Sequence, residues 1–363
     1  IFALRKIEAG ERRPSKQLAA LLANALEISE KDKPTFIRVA RGDLILERLR
    51  TPGLVKTPAY LANATESLNA SRQPASHHLP LSPTPLLGRD PELAAMERIF
   101  NETHCRLLTL TGMGGIGKTR LALQVAAAQA NQFVDGVCWV PLTDAQSDTD
   151  LALAVAHALH LSLSGAQDIR AQLLRALRDD PRERLLVLDN FEQLFPAGGV
   201  QLVLDILRAA LQTTLLVTSR QRLNLQAESV LPLEGLPCAE TAEGTSDAAQ
   251  LFAERAGRAR LDFAVAPAQQ AAVTEICRLV EGSPLGIELA AAWAGEMSPA
   301  RIADEIKGTL DFLTSDHPDL PERHRSLRAV FESSWKLLAE AEQAALMQVA
   351  AFRGGFRLEA AQV

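Results

Sequence analysis

Gly112-Met113-Gly114-Gly115-Ile116-Gly117-Lys118-Thr119 places two glycines four residues apart and follows them with Lys and Thr, the pattern of a loop that wraps phosphate groups. Its flanks carry as much information as the pattern. Arg106-Leu107-Leu108-Thr109-Leu110-Thr111 is a short apolar, β-rich run that reads as a buried strand, and from Arg120 the sequence Leu121-Ala122-Leu123-Gln124-Val125-Ala126 is strongly helix-forming. Strand, glycine loop and helix together predict backbone N–H groups turned toward phosphate oxygens. The positive end of the helix dipole lies at the same point. Lys118 is then expected to reach the β- and γ-phosphates, and the Thr119 hydroxyl to ligate Mg2+.

Outward from the loop, short apolar strands and helical stretches alternate. Strands are predicted at 106–111, 137–141, 185–189, 214–218 and 230–233, and helices near 90–100, 118–130, 149–160, 168–178 and 198–211. Such alternation predicts a parallel sheet with helices on both faces, and with the phosphate loop after its first strand the region reads as an α/β P-loop NTPase domain. Beyond Asp247 the strands stop, and apolar residues recur at helical spacing over 247–258, 267–281, 285–296, 299–313 and 325–350.

Two of the strands end in chemistry. Leu185-Leu186-Val187-Leu188-Asp189 closes on a carboxylate, and in such sheets the strand C-termini face the ligand crevice. Asp189 is therefore expected to hold Mg2+ beside Thr119; an Asp capping the next turn has the same pattern. The following residue is Asn190 rather than a second acid, so fast hydrolysis is not expected, and Glu192 is the remaining candidate for activating water. Leu215-Leu216-Val217-Thr218-Ser219-Arg220 repeats the design and ends in an arginine. The Arg220 guanidinium suits the reading of a γ-phosphate, or else a plain surface position. Gly282-Ser283-Pro284-Leu285-Gly286 interrupts two helical stretches, so Pro284 either faces an adenine ring or makes a helix–helix turn.

Bulk properties bound the remainder. The chain has 363 residues, enough for two to four domains, and 47% are hydrophobic but only 4% aromatic, which suits Ala/Leu-rich helices packed on a sheet. Residues 1–50 carry 11 Lys/Arg against 7 Asp/Glu, whereas the rest carries 27 against 37. That asymmetry admits a nucleic-acid contact at the head alone. Residues 1–50 read as small helices, and 51–84, with five prolines and no periodicity, read as a flexible linker. Cys105, Cys138, Cys238 and Cys277 lack metal-ligand spacing and are expected as reduced thiols, three of them in or beside apolar runs. His157 and His160 sit on an otherwise apolar helix and are expected as core or rim residues rather than zinc ligands. No stretch approaches membrane-spanning length and no signal peptide is visible, so a cytoplasmic location is expected. Ile1 in first position and a last element that stops short predict a fragment of a longer protein.

Taken in order over 85–363, these segments resemble the STAND class of signal-transduction ATPases, specifically bacterial NB-ARC-like regulators. Leu87-Gly88-Arg89-Asp90 is similar to the motif whose backbone lies against adenine. The loop at 112–119 resembles the Walker A segment, 185–189 Walker B, Thr218-Ser219-Arg220 the sensor motif, and Gly282-Ser283-Pro284-Leu285 the GxP motif. Arg323-His324-Arg325-Ser326-Leu327-Arg328 and Phe352-Arg353-Gly354-Gly355-Phe356 resemble the start of a winged helix. The resemblance implies a P-loop domain over 85–238, a helical domain over 239–312 and a winged-helix domain beginning at 313–363. It also implies ATP/ADP and Mg2+ as ligands. Gly88, Arg89, Gly112, Gly114, Gly115, Ile116, Gly117, Lys118, Thr119, Arg120 and Pro284 would bind the nucleotide, and Thr119 and Asp189 the metal. Lys118, Asp189, Glu192 and Arg220 would carry any turnover.

Leu4-Arg5-Lys6-Ile7-Glu8-Ala9-Gly10-Glu11-Arg12-Arg13-Pro14-Ser15 resembles the later helices of an XRE-type helix-turn-helix domain. That likeness implies Ala3 and Lys6 near bases and Arg12, Arg13 and Lys16 near phosphates. The function implied is a nucleotide-switched transcriptional regulator that self-associates on activation and answers a signal through a further C-terminal sensor domain. An ATP-driven remodeller and a defence sensor with a protein-binding head are the alternatives.

Overall fold

In a computed structural model, the described residues are Ala23, Lys33 and most of 79–350, excluding 81–83, 103–104, 131, 134, 163–167, 181, 240–245, 316–320 and 322–323. The chain divides into two units, Ile1–Gln73 and Pro74–Val363. In the first, Ala23 is buried and helical and Lys33 is helical. Ala3, Lys6, Arg12, Arg13 and Lys16, and the Phe352–Phe356 segment, lie outside the described residues.

The second unit is built on five strands: β1 (Leu107–Thr111), β2 (Val137–Pro141), β3 (Arg184–Asp189), β4 (Thr213–Ser219) and β5 (Glu228–Pro232). Their order is β2-β3-β4-β1-β5, and every pairing is parallel. The fold is thus the expected P-loop NTPase sheet. All six residues of β3 are buried, as expected for an inner parallel strand whose two faces are both covered. Helices α1 (Asp90–Glu102) and α2 (Lys118–Gln129) precede β2, α3 (Asp148–Ala158) and α4 (Ile169–Asp179) precede β3, and α5 (Gly199–Ala209) precedes β4. One apolar layer joins Leu107, Val155, Leu173, Leu186, Ile206 and Val217. The layer on the other face joins Met96, Leu108, Leu121, Val125, Val187 and Leu216. Their burial is the main cohesive force of this region.

Past β5 come α6 (Asp247–Ala259), α7 (Gln270–Leu279), α8 (Pro284–Ala292), α9 (Pro299–Gly308), α10 (Leu327–Trp335) and α11 (Glu340–Val349). Serine side chains at 246, 283, 298 and 326 cap α6, α8, α9 and α10, and Pro284 and Pro299 open α8 and α9, where their missing N–H groups cost nothing. One apolar cluster holds Phe252, Ile276, Ile287, Ile302, Leu313 and Val330, so the first residues after α9 and the middle of α10 pack with the preceding helices.

Several boundaries differ from expectation. The periodic stretch 325–350 is two helices, because Ala339 is extended at φ −65°, ψ 156° and its N–H donates to Glu342 Oε2 at 2.8 Å. The stretch 267–281 opens as a 3-10 turn at Pro267–Gln269, and a 3-10 turn at Phe191–Leu194 was not anticipated. Of the four free cysteines only Cys277 is fully buried; the other three are half-buried. His157 and His160 are exposed. Among the described residues no helix is long and apolar enough to cross a membrane, and no group of three His, Cys, Asp or Glu side chains has metal-holding geometry.

Candidate functional site: the phosphate loop and its surroundings

The loop joins the C-terminal end of β1 to α2 at the topological switch between neighbouring strands β4 and β1, the place where open α/β sheets bind ligands. Gly117 precedes α2 in a left-handed conformation (φ 98°) and supplies no side chain to cap it. The first N–H groups of α2 therefore face the loop, with the helix dipole behind them. Lys118 is buried, and its Nζ donates to the carbonyls of Gly112 at 2.8 Å and Met113 at 2.9 Å. The loop thereby curls around its own ammonium group.

Thr119 points at Asp189. Its hydroxyl donates to Asp189 Oδ1 at 2.8 Å, and the same oxygen accepts from Thr218 Oγ1 at 2.6 Å. The Asn190 N–H in turn donates to Thr218 Oγ1 at 2.9 Å. The ends of α2, β3 and β4 are thus tied through one carboxylate. Asn190 has φ 65°, a left-handed conformation that asparagine tolerates better than most residues. Its Nδ2 donates to Thr143 Oγ1 at 3.2 Å and Asp189 Oδ2 at 3.4 Å. The implied Mg2+ fits this donor set: a hydroxyl and a carboxylate oxygen, both hard ligands, stand side by side next to the lysine.

Arg220 and Glu192, expected on a γ-phosphate and on a water, are paired with each other. Arg220 Nε donates to Glu192 Oε1 at 3.2 Å; Glu192 is buried, and its Oε2 has no hydrogen-bond partner among the described residues. The guanidinium also borders the loop, since its Nη2 lies 3.5 Å from the position a Cβ on Gly114 would take. Its other donors go to α10: Nη2 to Ser333 Oγ at 2.7 Å and Nη1 to Ser334 Oγ.

Of the remaining expected nucleotide contacts, Arg89 and Pro284 touch the loop, whereas Gly88 and Arg120 contact other segments. Arg89 is buried, and its Nη2 donates to the Ile116 carbonyl at 3.0 Å and the Glu234 carbonyl at 2.8 Å, while Nη1 pairs with Glu92 at 2.5 Å. Gly88 lies against the Asp247 side chain. Arg120 turns to Glu288 at 3.3 Å and to Thr84 and Pro85. Pro284 faces Gly117, its Cγ 4.0 Å from a Cβ built there, and the Leu285 N–H donates to the Gly115 carbonyl at 3.2 Å. The start of α8 is therefore docked on the loop itself.

Thr84, Glu288, Ser333 and Ser334 were not anticipated as neighbours of the site. Each comes from a distant segment, and none stands in a motif that marks it.

The family described as AAA domain matches residues 101–225. Over 255 residues, 70% of this chain and 28% of the relative, the sequence is 37% identical to a Mycobacterium tuberculosis protein that carries the name of an HTH-type transcriptional regulator. Over 279 residues, 77% of this chain and 68% of the relative, it is 33% identical to an uncharacterized protein of the same organism. The chain thus spans 28% of the length of the first of these relatives. Among solved structures, a STAND protein with a tetratricopeptide repeat sensor from Pyrococcus horikoshii aligns over 80% of this chain and 38% of its own, with 18% identity and a TM-score of 0.39.

Proposed function

We propose that this chain, which belongs to the family of the 33%-identical mycobacterial relative, is an ATP/ADP-switched regulator of the STAND class whose nucleotide state governs how its helical segments sit on the phosphate loop. The observation that carries this reading is the Thr119–Asp189–Thr218 junction beside Lys118. It sets the Thr119 hydroxyl, the Asp189 carboxylate and the strand leading to Arg220 side by side, with Lys118 next to Thr119 in sequence. Lys118 and the first N–H groups of α2 would hold the phosphates, and Thr119 and Asp189 would hold Mg2+. The metal supplies charge neutralisation for the phosphate oxygens.

Switching is favoured over turnover by the residue after Asp189. Asn190 has no proton-accepting group and is engaged by Thr143 and Asp189. Glu192 holds Arg220. Slow hydrolysis is expected, well below the rate of about 10 per second that is typical of enzymes.

Segments that meet the loop include the Leu87–Asp90 approach through Arg89, α8 through Leu285, and α10 through Val330. A ligand that favours one arrangement of these segments shifts the population of the whole, by as much as its affinity for the two arrangements differs. DNA as the output, read by the complete N-terminal domain through Ala3, Lys6, Arg12, Arg13 and Lys16, is supported by the basic balance of residues 1–50 and by the name of the 37%-identical relative. Self-association on activation would then bring such heads onto adjacent half-sites. A cytoplasmic location accords with this role.

The test is nucleotide binding to the full chain by calorimetry, with and without Mg2+. Lys118→Ala is expected to weaken both ADP and ATP by about tenfold or more, as the loss of charge-assisted hydrogen bonds requires. Unchanged affinity for both would overturn the assignment. Salt-sensitive retention of an operator by the full-length protein tests the DNA arm.

A further inference from the structure

We propose that Ser333 and Ser334 on α10 set the discrimination between nucleoside diphosphate and triphosphate, by holding Arg220 until a γ-phosphate displaces them. This rests on the nucleotide-binding reading above and goes beyond it, because both residues lie outside every segment that suggested a ligand.

The geometry is specific. Arg220 Nη2 donates to Ser333 Oγ at 2.7 Å, and Nη1 to Ser334 Oγ, while Nε is taken by Glu192 at 3.2 Å. Each serine hydroxyl spends its own hydrogen on the Val330 carbonyl, at 2.9 Å from Ser333 and 3.0 Å from Ser334. A hydroxyl whose single proton is committed in this way offers the guanidinium only lone pairs. The serine pair therefore acts as a neutral acceptor, and both terminal nitrogens of Arg220 are engaged.

The same turn of α10 blocks the loop. Val330 is 7% exposed, and its Cγ1 lies 2.6 Å from where a Cβ on Gly114 would stand, so any larger residue at 114 would lift the helix. Ser333 and Ser334 follow Val330 by three and four residues, on the same helical face. The contact of Val330 with the loop and the grip of the serines on Arg220 thus form and break together.

Phosphate oxygens are charged and accept from a guanidinium more strongly than hydroxyls do. A triphosphate whose terminal group reaches Arg220 must replace the serines, and α10 loses its hold. A diphosphate leaves the serine contacts in place. Nucleotide and helix thus compete for one guanidinium, and by linkage each weakens the other's binding to the same extent.

The experiment compares affinities for ADP and for AMP-PNP in the full chain by calorimetry. The Ser333→Ala/Ser334→Ala variant is expected to bind AMP-PNP about tenfold more tightly, as the loss of a competing hydrogen bond to a charged group implies. ADP affinity should stay within about twofold, the size of an ordinary surface effect. Ser333→Thr/Ser334→Thr, which keeps both hydroxyls, should retain the wild-type ratio. In an Arg220→Ala background the serine changes should have no further effect. An unchanged ratio, a parallel shift of both affinities, or weaker AMP-PNP binding overturns the proposal. If the double alanine variant does not fold, Ser333→Ala alone carries the same comparison. Lys118→Ala separates the two readings. If it leaves both nucleotides bound, the site assignment itself fails; if it releases both while the serine changes leave the ratio untouched, only the role of the serines fails.

Discussion

Arg120, the residue after Thr119, is bonded to Glu288 of α8 at 3.3 Å, and Glu288 also accepts from Arg255 of α6 at 2.9 Å. Thr84 closes the group, its Oγ1 accepting from Arg120 at 2.6 Å and from Arg255 at 3.3 Å. One carboxylate and one hydroxyl thus bind α2, the helical segment and the start of the α/β region. Burial lowers the Arg120 pKa, and Glu288 opposes that effect. Glu288→Gln removes the acid that is bonded to both guanidinium groups. Partial exposure screens the pair, so a loss of about 1–2 kcal/mol is expected. Urea unfolding measures it; an unchanged midpoint would show that the charges contribute nothing.

Gly282→Ala should be more damaging. Gly282 has φ +68°, and a Cβ there would stand 2.2 Å from the Leu236 carbonyl oxygen. The Leu236 N–H donates to the Gly282 carbonyl at 2.8 Å, so the backbones cannot separate without losing that bond. Left-handed strain and the clash together should cost more than about 2 kcal/mol. A melting temperature within a degree of the parent would contradict this.

Thr218 is fully buried and serves Asp189 and Asn190 at once. Thr218→Val keeps the shape and removes the hydroxyl, leaving the Asn190 N–H without that acceptor. A stability loss of about 1–3 kcal/mol is expected, together with weaker magnesium-dependent nucleotide binding, and Thr218→Ser should restore both. Chelation of Mg2+ should weaken nucleotide binding less in Thr218→Val than in the parent. Equal losses would mean that Thr218 does not orient the carboxylate.

Asp180 contributes to the acid limb of the stability profile. Burial alone would raise its pKa, but hydrogen bonds from Arg182 and Arg184 outweigh that and hold it at about 2, against 3.8 for the free side chain. A lowered folded-state value means stabilisation that is complete above 3.8 and lost as the pH falls toward 2. Asp180→Asn should therefore melt below the parent at neutral pH and converge with it near pH 2. A constant gap across that window would place the effect elsewhere.

Cys277 provides a reporter of opening. Burial pushes its thiol up to about 12, so at pH 8 it is almost wholly protonated and unreactive. Alkylation should track global unfolding in denaturant. Fast labelling in native buffer would mean that the α6–α9 cluster opens locally.

The strands that carry the site were legible because each is an apolar run ending in a polar group. Leu185–Asp189 and Leu215–Arg220 announce both a buried strand and its functional end. β5 was faint because it is an edge strand, with Val230 exposed and Pro232 at its end. The break between α10 and α11 was not legible: no glycine or proline marks it, and the apolar spacing runs through Leu337 and Leu338. The 3-10 turn after Asp189 likewise follows from the left-handed Asn190, which no pattern announces. Lys118, Thr119 and Asp189 could be named from local sequence. The partners of Arg120 and Arg220 could not, because side-chain contacts between remote segments leave no periodic trace.

The strand order has a consequence for synthesis. β1 carries the phosphate loop, yet its hydrogen-bonding neighbours are β4 and β5, with Leu107 opposite Leu215 on one side and Glu228 on the other. Both neighbours leave the ribosome long after the loop does. Pairing this remote in sequence forms slowly, so β1 waits for the second half of the sheet to cover its two edges. The sheet around the loop is therefore completed only after β4 and β5 have been made. A ligand that bound only the finished sheet would stabilise completed chains over partial ones.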